Sequence, residues 1–141
     1  MPNIHFFKED IRFRLLNQQA LRRWITSVVR MKKFHLEELN FIFCSDDYLL
    51  QLNKNFLHHH FYTDVITFDN SDNKKKITGD IFISYDRVKE NAGLFNCSLN
   101  DELHRVMIHG VLHLLGYKDK TKTGKIMMRL FENKCLAKRN F

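Results

Sequence analysis

The chain has 141 residues, 44% of them hydrophobic and 13 of them phenylalanine, with one proline and five glycines, which excludes a disordered, collagen-like or linker-rich protein. A net charge of +7 and a pI near 9.4 point to an anionic partner without choosing among nucleic acid, membrane surface and acidic protein. No stretch approaches the roughly 20 apolar residues of a membrane span, and charges interrupt the start, so a cytoplasmic protein of one domain over residues 1–141 is expected.

Residues 4–7 read as a short first strand, and residues 17–33 as a helix whose apolar positions Ala20, Leu21, Trp24, Ile25, Val28 and Val29 recur with helical period. Alternation at Leu39, Phe41 and Phe43 predicts a strand ending at Cys44. Ser45, Asp46 and Asp47 offer N-caps for a helix to about residue 55, with Leu49, Leu50, Leu52 and Phe56 on its buried side. A polar loop with His58, His59 and His60 leads into a strand over 63–68, where β-branched residues concentrate. Residues 70–76 form a turn, 79–84 the next strand, and Asp86 caps a helix to residue 94. Ser98 or Asn100 caps a longer helix through Leu115, its core face carried by Leu103, Val106, Met107, Val111, Leu112 and Leu114. A last helix over 122–138 turns Ile126, Leu130 and Phe131 to the core. This order predicts an α+β fold, a single mixed β-sheet covered by helices, with a metal site at the end of a core helix.

Cys44, Cys97 and Cys135 show no C-x-x-C spacing, which fits a reducing compartment and neither a disulfide framework nor a cysteine metal site. The chemistry lies further on. His109 and His113 are four apart, so on a helix their imidazoles share a face at about 5–6 Å between Cβ atoms and converge on one metal ion. Gly116 can end that helix at φ > 0, and Asp119 then brings a third ligand while a fourth position stays open, as in catalytic sites. The spacing is that of the metzincin signature H-E-x-x-H-x-x-G-x-x-H, with Gly110 in place of the general-base glutamate and Asp119 in place of the last histidine. Should Asp119 not bind, His58, His59 and His60 are the alternatives. From Lys118 to Arg139 eight basic residues face two acidic ones, and Lys118, Lys120, Lys122 and Lys125 are the expected phosphate contacts.

The run His109-Gly110-Val111-Leu112-His113-Leu114-Leu115-Gly116-Tyr117 strongly resembles the motif of the YbeY family of metal-dependent endoribonucleases, bacterial rRNA maturation factors. Ser45-Asp46-Asp47 with Leu52-Asn53, Thr63-Asp64-Val65-Ile66-Thr67-Phe68, Gly79-Asp80-Ile81-Phe82-Ile83-Ser84 and Glu102-Leu103 agree with it, over roughly residues 44–132. The resemblance implies a mixed sheet with surrounding helices and zinc, one Zn2+ per chain, with other divalent metals open. It also implies hydrolysis of single-stranded RNA in small-subunit rRNA maturation, with rRNA or a ribosomal particle as partner and no membrane. Family members usually have a third histidine where this chain has Asp119, whose oxygen favours harder metals. Leu57 stands where they usually carry an arginine, and Tyr62 where a proline is expected. Lys54, His58, His59 or His60 would then have to clamp the phosphate. Asp64 and Asp80, at strand ends, read as turn and hydrogen-bonding residues. The metal would lower the pKa of water toward about 7, with a base drawn from a neighbouring carboxylate, a loop histidine or the substrate. Two other functions fit the same residues: a non-catalytic ribosome assembly factor with a structural metal, and a zinc peptidase.

Overall fold

A computed structural model describes residues 3–141, with elements β1 (Ile4–Lys8), α1 (Gln18–Met31), β2 (His35–Cys44), α2 (Asp46–Leu57), β3 (Val65–Asp69), β4 (Lys76–Ser84), α3 (Tyr85–Leu94), α4 (Leu99–Leu114) and α5 (Lys122–Ala137). Ser45, Ser84, Ser98 and Thr121 start four of these helices by accepting a hydrogen bond from the backbone N–H three residues on. Each satisfies a donor that the first helical turn leaves free. Ser84, not the expected Asp86, caps α3, because β4 runs directly into the helix and leaves its last residue at the helix mouth.

β1, β2 and β4 run parallel and β3 pairs antiparallel with β4, giving the order β1-β2-β4-β3 and the mixed sheet that the element pattern predicts. On one face Phe41 and Phe43 of β2 and Ile81 and Ile83 of β4 join Ile25 and Val28 of α1 and Met107 and Val111 of α4 in the main core. On the other, Cys44, Leu49 and Ile66 form a smaller cluster with Phe68 and Phe82 packed around it. The sheet is thus covered on both faces, as its parallel strands require. α4 comes unusually close to β4, since a Cβ placed on Gly110 would lie 2.8 Å from Ile81 Cγ2.

Two helix faces differ from the sequence reading. Along α2, Leu49 and Asn53 are buried while Phe56 is 64% exposed, because the buried stripe follows the i, i+4 step into Asn53, whose Nδ2 donates to the Phe61 carbonyl and ties down the following loop. Along α5, Met128, Glu132 and Cys135 face inward, and Ile126 and Leu130 are about half exposed. That rotation places Glu132 against His109 and Arg105, and lets Trp24 Nε1 donate to the Cys135 carbonyl at 2.8 Å. The strand boundaries also move: β2 begins at His35 and β4 at Lys76, where parallel pairing extends both beyond their alternating stretches, and β3 is Val65–Asp69.

Candidate metal centre

α4 ends where it must for the motif to converge. Gly116 has φ +101°, its N–H donates to the His113 carbonyl, and the Tyr117 N–H donates to the Leu112 carbonyl, which closes the helix in a Schellman turn. The chain reverses there and brings Asp119 back to the histidines. His109 Nε2 and His113 Nε2 stand 3.0 Å apart, and Asp119 Oδ2 lies 3.4 Å from His109 Nε2 while Oδ1 lies 3.5 Å from His113 Nε2. The edge of a ligand tetrahedron with bonds of about 2.0–2.1 Å is about 3.3 Å, so the donor set fits a metal of zinc's size without rearrangement. Among the described residues these three form the one group with this geometry; His58, His59 and His60 are exposed and stand outside it.

A fourth residue fixes the tautomer. Glu132 Oε2 lies 2.6 Å from His109 Nδ1, so the ring donates there and presents the lone pair of Nε2 to the site. Glu132 is buried and held in turn by Arg105, whose Nη1 donates to Oε1 at 2.9 Å. Burial by itself would raise the Glu132 pKa, but the hydrogen bonds from His109 and Arg105 outweigh it and keep the carboxylate ionised. Before any metal binds, burial opposes protonation of both site histidines. At His109 the Glu132 hydrogen bond and charge, with Asp119, overcome it and raise the pKa; at His113 burial and the His109 charge prevail and lower it. In the sequence Glu132 stands out as the one acid of an otherwise basic helix, a signal that does not say which way it faces.

Two cavities meet at this point and share Asp64, His109 and Asp119. The larger, about 630 Å³, runs beside the edge strand β3 and takes in Leu57, His59, Phe61 and Lys120; the smaller, about 290 Å³, lies toward α5 and takes in Lys125 and Arg129. Lys120, Lys125 and His59 are therefore brought to the site, while Lys54, Lys118 and Lys122 line neither cavity. Asp80 behaves as expected of a hydrogen-bonding residue, accepting from Asn40 Nδ2 and Asn70 Nδ2. Asp64 does not. Its carboxylate borders both cavities, burial raises its pKa, and the hydrogen bond it receives is from its own backbone N–H. At Gly110, where a metzincin has its base, Cβ would point into Ile81 rather than toward the histidines.

Residues 4–140 match the family described as Endoribonuclease YbeY. The Endoribonuclease YbeY of Cytophaga hutchinsonii is 55% identical over 138 residues, covering 98% of this chain and 96% of that one. That of Karelsulcia muelleri is 49% identical over 125 residues, covering 89% and 87%. The solution structure of a Thermotoga maritima protein matches with a TM-score of 0.66 at 27% identity, covering 94% of this chain and 86% of its own. Among the described residues no helix is long and apolar enough to cross a membrane. Similarity at this level, continuous from β1 through α5, makes the chain a member of the YbeY family of endoribonucleases.

Proposed function

We propose that this chain is a cytoplasmic, zinc-dependent endoribonuclease that cuts single-stranded RNA during maturation of small-subunit rRNA, with His109, His113 and Asp119 as the metal ligands. The observation that carries this reading is the convergence of two Nε2 atoms and one carboxylate at tetrahedral spacing, backed by Glu132, at the junction of two cavities. A divalent metal held there supplies Lewis-acid charge at the scissile phosphate.

The remaining work falls to the protein's own side chains. Lys120 on one side and Lys125 on the other place positive charge along the backbone of a strand crossing the site. Asp64, bordering both cavities and, among the described residues, receiving no hydrogen bond from another side chain, takes the proton from the attacking water as oxygen adds to phosphorus; the P–O bond to the leaving ribose breaks and its oxygen takes up a proton from solvent. Its raised pKa brings it nearer the working pH of a base than an ordinary aspartate. Gly110 leaves this role vacant on α4, and Asp64, in the loop just before β3, fills it.

The test combines elemental analysis with cleavage of single-stranded RNA, with and without chelator. The parent should carry one metal per chain and lose cleavage on chelation. His113→Ala should empty the site, whereas Asp64→Asn should keep the metal and lose roughly 10²–10⁴-fold in kcat, the range typical of a general base. Stoichiometric metal in His113→Ala would sink the ligand assignment, and unchanged kcat in Asp64→Asn the assignment of the base.

A further inference from the structure

Beyond the smaller cavity beside His109 lies another of about 340 Å³, and Phe95, Glu102, Arg105 and Arg129 border both. Phe95 is 57% exposed although it stands between two concave surfaces, and it makes no ring pair among the described residues. Its backbone is fixed by the turn that ends α3. The Phe95 N–H donates to the Asn91 carbonyl, Asn96 adopts φ 52°, and the Cys97 N–H returns to the Ala92 carbonyl, which closes α3 at this residue.

The three arginines of this region differ in one respect. Arg105 is bound by Glu132 and Asn133, and Arg139 by Asp101 and His104. Arg129 makes no ion pair and no side-chain hydrogen bond among the described residues, so its guanidinium is free for a bidentate contact to a phosphate. Glu102 is 4% exposed on the shared wall, and the side-chain donor it has is the weak Cys97 thiol at 3.9 Å. The Arg105 and Arg129 charges offset part of the cost of burying this carboxylate, and its oxygens on the cavity wall keep acceptor capacity for a donor on a ligand.

An aromatic face, a free guanidinium and a buried acceptor match the base, the phosphate and a hydrogen-bond donor of one nucleotide. We propose that these two adjoining cavities form a nucleotide subsite next to the metal centre, where Phe95 stacks a base of single-stranded RNA, Arg129 holds the adjoining phosphate and Glu102 accepts a hydrogen bond from the nucleotide. The subsite rests on the endoribonuclease reading above. The donor to Glu102 is either the ribose 2′-hydroxyl or an exocyclic amine of the base. Base–aromatic stacking of about 1–3 kcal/mol corresponds to roughly 5- to 150-fold in affinity.

The experiment uses the full-length, zinc-loaded protein with fluorescein-labelled, unstructured RNA oligonucleotides, read by anisotropy, while cleavage is followed in the same samples. A single abasic residue is moved along the oligonucleotide. Phe95→Ala should weaken binding by about 5- to 150-fold, Phe95→Tyr should restore it, and one abasic position should weaken the parent yet leave Phe95→Ala unaffected. At that position a 2′-deoxy substitution whose cost vanishes in Glu102→Leu, which has no side-chain acceptor, identifies the hydroxyl as donor; a cost that vanishes only on changing the base identifies the amine. A Phe95→Ala variant that binds every oligonucleotide as the parent does, or that weakens intact and abasic RNA equally, overturns the subsite. A parent that shows the Phe95 pattern but leaves RNA intact overturns the endoribonuclease reading and keeps the subsite. Cleavage by the parent with Phe95→Ala unaltered in binding does the reverse.

Discussion

His104 and His109 lie five residues apart on α4 and titrate in opposite directions. Both are removed from water, which penalises the imidazolium, but His109 has the Glu132 carboxylate at 2.6 Å, whereas His104 has the Arg139 guanidinium at 2.7 Å from its Nδ1 and the rings of Trp24 and Phe141 nearby. Burial first, and then the Arg139 charge, push the His104 pKa down to about 4. The folded protein therefore holds His104 neutral across a range in which the unfolded chain, with a pKa near 6.5, is protonated. Stability contributed by this residue is complete above pH 6.5 and falls as the pH drops toward 4, by about 2–3 kcal/mol between pH 7.5 and 4.5. Urea unfolding at those two pH values should show the parent losing that much more than His104→Gln, which cannot take up a proton. Equal losses in the two proteins would remove His104 from the acid response.

At the level of elements, the site depends on how closely α4 lies on β4. Gly110 is a poor helix former, and replacing it with alanine would by itself favour the helix by about 1 kcal/mol. The new Cβ, however, would meet Ile81 Cγ2 at 2.8 Å and Cδ1 at 2.9 Å in a fully buried layer. Overpacking of that kind costs about 1–3 kcal/mol, so the packing penalty is the larger effect. Gly110→Ala should destabilise the protein, and Ile81→Ala, which removes the clashing atoms, should relieve it. In a double-mutant cycle by denaturant unfolding, the pair should be more stable than the sum of the single changes by about 1–2 kcal/mol. Strict additivity would mean that α4 moves away from β4 at no cost.

For the whole molecule the net charge of +7 matters through its placement. Lys120 and Lys125 reach the two cavities that meet at His109 and Asp119, while Lys122 is exposed on α5 and lines neither. Binding of single-stranded RNA should weaken with salt, and removing one lysine that neutralises a phosphate should flatten the log–log slope by about 0.7. Lys120→Ala and Lys125→Ala should each produce that change, and Lys122→Ala none. Slopes that respond equally to all three substitutions would indicate a diffuse charge effect rather than a strand lying across the site.

The convergence of His109, His113 and Asp119 was legible in the sequence because local geometry positions them: one helical turn separates His109 from His113, and Gly116 supplies the reversal that returns Asp119. The mixed sheet and most of the core were legible for the same reason, since period-two and helical patterns report burial directly. Glu132, Asp64, Phe95 and Arg129 were not, because each reaches the site from an element distant in sequence or on a helix face that propensity does not select. The rotation of α5 illustrates the point. Apolar content alone favours Ile126 and Leu130 as its inner face, yet Glu132 is turned inward, where His109 and Arg105 compensate its buried charge. Which side chains surround His109, His113 and Asp119 is decided by such pairings between α4 and α5 and by the approach of the segment around β3, and these exist only once the chain has folded.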